Sequence, residues 1–172
     1  MDDPRLSPVE LEIARRVKRL PLDHAAMAVM SNIWRTAKAF ELRMERGVLR
    51  DHGLTFAGFN TLFIVWIWAP VEPREIARLS GVTRATVSST VGRLERDGLV
   101  SRSRHPEDRR LVLVDLTPAG RDLIEALFPT FNEEESAIAS VLTAREQEKL
   151  TATLRRMQAV IGGARGDWPE VA

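Results

Sequence analysis

Cysteine is absent from the 172 residues of this chain, which excludes disulfides, thiolate metal ligation and thiol redox sensing. Lysine is nearly absent too. Lys18, Lys38 and Lys149 are the whole set, so arginine is the default base everywhere and its abundance alone argues nothing. The strongest apolar run, Leu62 to Pro70, falls well short of the ~20 residues that span a bilayer. No basic stretch leading into an apolar one stands at the start, so no secretory signal is expected and the expected location is cytoplasmic. Repeats and low-complexity tracts are missing. His24, His52 and His105 fall at no ligand spacing, so no metal site is expected. Neither a Ser-His-Asp set, a P-loop, an HExxH motif nor a glycine-rich nucleotide fingerprint occurs, so no catalytic residue, cofactor or membrane partner is expected either.

The length suits one domain carrying helical extensions, and 44% hydrophobic with 28% charged residues is ordinary for a globular protein. Net charge is only +1, which by itself argues against a nucleic-acid partner. Its distribution reverses that. Between Val82 and Val112 seven arginines (84, 93, 96, 102, 104, 109 and 110) face four acids, a local basic excess able to meet phosphates.

Helix boundaries are well marked. Ser7-Pro8-Val9-Glu10 combines an N-cap, a proline at the first helical position and a capping-box acid. It predicts a helix to about Leu20 with Val9, Ile13, Val17 and Leu20 on one stripe. Asp23 caps a long helix to about Arg46. Thr55 caps another, where Phe56, Phe59, Leu62, Phe63, Trp66 and Ile67 recur at helical spacing before Pro70. Thr117-Pro118 opens a helix that Phe128-Pro129 should kink or divide. Thr143 to Glu146 is a second capping box, leading a helix with Leu150, Leu154, Met157 and Ile161 inward. Glu133 to Glu135 is an acid run with a solvated surface as its plainest reading. Asp2 to Leu6 reads as a frayed terminus and Gly162 to Ala172 as a loose tail. About seven helices and one hairpin result.

The stretch from Pro73 to Gly120 carries the most information. Two short helical patterns meet at Gly81, and a basic hairpin follows, which is the order of a winged helix-turn-helix. In the second helix Val87, Val91 and Leu94 form the buried face, supported by Ile76, Ala77 and Leu79. Opposite them stand Arg84, Thr86, Ser88, Ser89, Thr90 and Arg93, a short polar face almost free of acids. A helix entering the major groove needs small side chains and a few long donors. A solvated Ser/Thr surface is the alternative, though such faces usually favour Glu and Lys as better helix formers. Gly98 falls where a left-handed residue ends the helix. Strand-like segments Val100 to His105 and Leu111 to Leu116 flank Pro106-Glu107-Asp108-Arg109-Arg110. Two acids in a basic tip are odd for a simple electrostatic patch. Asp108 pairing with one arginine, so that another enters the minor groove, would account for them.

With TRATVSSTVGRLERDGLV, the wing DRR and LTPAG in this order, the chain resembles the MarR family of bacterial winged-helix transcriptional regulators over roughly residues 23 to 161. The family's Asp-x-Arg falls on Asp108 and Arg110, and its Leu-Thr-x-x-Gly on Leu116, Thr117 and Gly120. The resemblance implies a mainly α fold with a small β-hairpin wing, as one domain over 1–172. Residues 7–53 and 118–161 would be dimerisation helices, and 54–117 the DNA-binding lobe. It also implies a homodimer on double-stranded DNA, recognition by Thr83 to Arg93, minor-groove insertion by Arg110, and phosphate contacts from Arg104 and Arg109. The operator would be a pseudo-palindrome whose half-sites lie about one turn, roughly 34 Å, apart.

Family members commonly take a small-molecule effector between the dimerisation helices and the DNA-binding lobe. Trp34, Phe59, Phe63 and Trp66, with His52 nearby in sequence, are the candidate lining; plain core is the competing reading of such aromatics. The helix before residue 21 is an addition to the family's usual first helix, shared with some urate- or phenol-responsive members. Against that subfamily, no acid lies between Thr55 and Glu72, and the assignment stays open. The expected function is a DNA-binding regulator, a repressor released by an aromatic or phenolic ligand. The alternative is a winged-helix protein-interaction module without an operator.

Overall fold

The computed structural model describes residues 7–163. Expectations for Asp2 to Leu6 and for the tail beyond Gly163 lie outside the described residues. Helix α1 (Pro8–Val17) and α2 (His24–Arg46) are followed by a 3₁₀ turn (Arg50–His52), α3 (Phe56–Trp68), α4 (Pro73–Ser80) and α5 (Arg84–Arg96). Strands β1 (Val100–Arg104) and β2 (Val112–Leu116) then lead to α6 (Pro118–Ala139) and α7 (Ala144–Gly163). The chain divides into two units between Arg43 and Met44, inside α2.

The N-terminal unit is held by polar contacts. The Ser7 hydroxyl and Glu10 carboxylate form the expected capping box, and Glu10 also accepts from Asn32 Nδ2 at 2.8 Å and pairs with Arg35 at 3.0 Å. Hydrogen bonds from Asn32 and from Ser7, reinforced by the Arg35 charge, hold the Glu10 carboxyl down to about 2. Asp23 caps α2 by accepting the Ala26 N–H. Helix α1 ends at Val17, a turn before the expected Leu20, and the chain leaves through a Leu20 N–H to Val17 carbonyl bond. No residue from 7 to 43 is buried. Val9 and Leu20, expected to face inward, are more than half exposed.

The second unit has a core. Leu62, Val65, Ile76, Val87, Val91, Leu94, Val100, Val114 and Ile124 are all nearly inaccessible, drawn from α3, α4, α5, the hairpin and α6. β1 and β2 pair antiparallel, Val100 opposite Leu116 and Arg104 opposite Val112. Val71, just before α4, adds a bridge to Val114 through reciprocal bonds of 3.0 and 2.8 Å. Each strand is one residue shorter than expected, because His105 and Leu111 belong to the turn while still sharing a bond, His105 N–H to Leu111 carbonyl.

Helix α6 runs without a break through Pro129, so of the kink or division expected there the division does not occur. Proline removes one backbone donor, but Leu127 and Phe131 on either side are buried and anchor the helix across the gap. Glu133 to Glu135 lie near the C-terminal end of α6. The start of α6 explains the Leu-Thr-x-x-Gly pattern. Thr117 caps the helix through the Gly120 N–H while its hydroxyl donates to the Gly98 carbonyl at 2.6 Å. Gly120 sits so close that a Cβ there would collide with the Leu99 carbonyl. Helix α7 begins with its expected capping box, Thr143 with Glu146, and continues to Gly163, two residues into the expected tail. None of its described side chains is buried. Leu150 and Ile161, expected inward, are 47% and 59% exposed.

Candidate nucleic-acid interface

Helix α4 begins with Pro73 and ends at Gly81, whose φ of 69° makes the tight turn into α5. Ile76 and Ala77 of α4 and Val87, Val91 and Leu94 of α5 are buried, fixing which way α5 faces. The opposite side is open: Arg84, Ala85, Thr86, Ser88, Ser89 and Arg93 are exposed. Arg84 has no hydrogen bond or ion pair among the described residues, so its guanidinium is available to a ligand. Thr83 caps the helix by accepting the Thr86 N–H at 3.1 Å, and the two threonine hydroxyls lie 2.9 Å apart.

Arginines brace α5 on two sides. Arg93, a candidate DNA contact, donates to the Gly53 carbonyl at 3.0 Å and lies 3.7 Å from Asp97. Arg102 of β1 lies 3.3 Å from Glu95, and its guanidinium covers Gly92 closely enough that a Cβ there would press against it. The acids of the helix are thereby matched by local arginines. A cleft of about 200 Å3 opens beside this helix, bordered by Gly53, Thr55, Ser89, Arg93 and Arg96.

The wing tip is built on side-chain bonds to backbone. His105 Nδ1 accepts from the Glu107 and Asp108 N–H groups at 3.2 and 3.3 Å, so this nitrogen carries no proton in that arrangement. Arg104 donates to the Arg109 carbonyl at 2.7 Å. Asp108 takes a fork of two bonds from Arg110, Nε and Nη2 at 3.0 Å each, and accepts the Arg110 N–H as well. Those bonds lower the Asp108 carboxyl below its ordinary value and raise the Arg110 guanidinium. The arginine that Asp108 aims is thus Arg110 itself, the residue marked for the minor groove, rather than a neighbour set aside to free it. Arg110 is 90% exposed. Arg109 makes no side-chain pair among the described residues.

The structure places the effector candidates in different settings. Phe59 stacks on Phe131 with ring centres 4.0 Å apart and is 4% exposed. Phe63 stacks on Phe128 at 5.3 Å, and Trp66 packs on Phe128 while donating from Nε1 to Glu125 at 3.3 Å. These three belong to an aromatic seam between α3 and α6. His52 is exposed in the 3₁₀ turn, and Trp34 of α2 is 69% exposed. Sequence reasoning gave no site role to Val82, Ala85, Gly92 or His105, and took Arg102 only as part of the local basic excess. A helical wheel marks Ala85 and Gly92, which fall with Ser89 on the line opposite Val87; the two contacts made by Arg102 and His105 have no sequence signal.

The sequence profile of the MarR family matches residues 54–112. An uncharacterized helix-turn-helix transcriptional regulator of Bacillus subtilis, YwaE, is 33% identical over 151 residues, covering 86% of this chain and 88% of that protein. Among solved structures, the Staphylococcus aureus MepR–DNA complex is similar with a TM-score of 0.70 and 26% identity, over 76% of this chain and 96% of that one. Bordetella bronchiseptica BpsR, whose DNA binding is regulated by 6-hydroxynicotinic acid, is similar with a TM-score of 0.67 and 29% identity, over 74% and 91%.

Proposed function

Because the chain belongs to the MarR family of helix-turn-helix transcriptional regulators, we propose that it is a repressor that binds a pseudo-palindromic operator as a homodimer and is released by a small aromatic or phenolic ligand. One observation carries the DNA-binding half: α5 presents an exposed face of small residues with an unpaired Arg84, beside a wing whose Arg110 is held outward by Asp108. In the major groove such a helix reads base edges, while a wing arginine reads the width and potential of the minor groove.

What the single chain leaves uncovered supports the dimer. Val160 is 78% exposed and Ile161 59% on α7, and Val9 and Trp34 are similarly open in the N-terminal unit. A second copy would bury such faces with closed two-fold symmetry, and the same symmetry sets two recognition helices on two half-sites. An effector would act by favouring a dimer geometry that suits neither half-site spacing, since a ligand shifts an equilibrium only through its different affinity for the two states. BpsR and its aromatic acid support that choice of ligand class.

The test is fluorescence-anisotropy binding to the DNA just upstream of the chain's own coding sequence, at two salt concentrations and with excess non-specific competitor. Tight, competitor-resistant binding that weakens steeply with salt is expected. Loss of all binding under competitor, there and in a genome-wide pull-down of bound DNA, would leave the winged helix serving another partner.

A further inference from the structure

The leading edge of α5 consists of Val82, Thr83, Arg84, Ala85 and Thr86. Here the hydroxyls that looked like base contacts are committed elsewhere: Thr83 Oγ1 accepts the Thr86 N–H, and the two hydroxyls bond each other at 2.9 Å. At most one hydroxyl hydrogen is left over from that pair. What the edge offers outward is apolar carbon, with Val82 39% exposed and Ala85 exposed, around the one long donor Arg84. A single exposed valine on a protein surface is ordinary. Beside a helix that presents bases with an arginine it acquires a chemical complement.

In the major groove, donors and acceptors mark most base edges, and the one apolar group is the C5-methyl of a pyrimidine. Arginine, in turn, pairs best with the two acceptors of guanine. We infer that Val82 and Ala85 read the C5-methyl group of a pyrimidine next to a guanine contacted by Arg84, so that each operator half-site contains a methyl-bearing base at that step. This rests on the proposed DNA-binding function and adds what the half-site must contain. Thymine supplies the methyl in ordinary DNA and 5-methylcytosine in methylated DNA. Removing one methyl from such a contact weakens binding about fourfold, from the area withdrawn from water.

Binding sites are selected from a random duplex library, once unmodified and once methylated at CpG. In the selected operator each thymine is then replaced in turn by deoxyuridine, which deletes only the methyl group. Wild type is compared with the double variant Val82→Asn, Ala85→Asn, which puts polar amides where the apolar carbon stood; both positions are exposed, so an unchanged melting curve is expected. The unmodified selection should return a thymine beside a guanine in each half-site. Deoxyuridine there should cost wild type about fourfold per half-site and the double variant almost nothing. Enrichment from the methylated library alone would assign the methyl to 5-methylcytosine and keep the inference. A specific operator on which every deoxyuridine is neutral, or to which the variant is as sensitive as wild type, overturns it while leaving the regulator intact. Failure of both libraries to yield any sequence defeats the regulator and this inference together.

Discussion

At the scale of single residues, Asp108 and Arg110 show how an acid can serve a basic surface. A long arginine side chain left free samples many rotamers, and fixing it on binding has an entropic cost. The forked pair fixes it beforehand. Arg110→Ala should weaken binding across all sequences and reduce the salt slope by about one, read from affinity against salt concentration. Arg84→Ala should instead relax preference at particular base positions, by about 1–3 kcal/mol on the preferred pair; an equal loss on every sequence would end its base-reading role. Gly120 is a purely structural case. Its neighbour is backbone, the Leu99 carbonyl, so Gly120→Ala should cost about 1–3 kcal/mol or more in denaturant unfolding, and an unchanged midpoint would contradict that packing. The motif around Gly120 was legible as a family pattern, but its cause appears only when the α5–β1 corner and α6 are side by side. The Arg93 bond to the Gly53 carbonyl joins residues too far apart in the chain for any local pattern to show.

At the scale of elements, legibility followed locality. Caps at Ser7, Thr55, Thr117 and Thr143 were readable because each satisfies its own helix within three or four residues. The continuation of α6 through Pro129 was not, because burial of Leu127 and Phe131 outweighs a local breaker. In the wing, His105 replaces a turn residue by accepting two N–H groups. His105→Ala should leave the melting temperature nearly unchanged yet weaken DNA binding as Arg110→Ala does, by loosening the tip. In the N-terminal unit, Glu10 joins α1 to α2. Its carboxyl lies near 2 in the folded chain against 4.5 ordinarily. The contribution is therefore present above about 4.5 and lost as pH falls from there toward 2. An NMR titration of the Glu10 carboxyl should give a midpoint near 2; a midpoint near 4.5 would mean that α1 is not held this way.

For the whole molecule, the winged-helix order and the polarity of the α5 face were legible, since helix periodicity and turn residues lie in the sequence. What covers α7 was not: Leu150 and Ile161 read as inward, and the single chain leaves them exposed. In the proposed dimer they are inward again, at a two-fold interface. That places two copies of α5 and two wings on one DNA, which is the central claim and has a direct measurement. Footprinting of the selected operator should show two major-groove segments protected from methylation at guanine N7, related by two-fold symmetry and spaced by about one turn, ~34 Å, each flanked by minor-groove sugars protected from hydroxyl radical until Arg110→Ala removes that protection. A single protected segment, or protection without symmetry, would contradict the account.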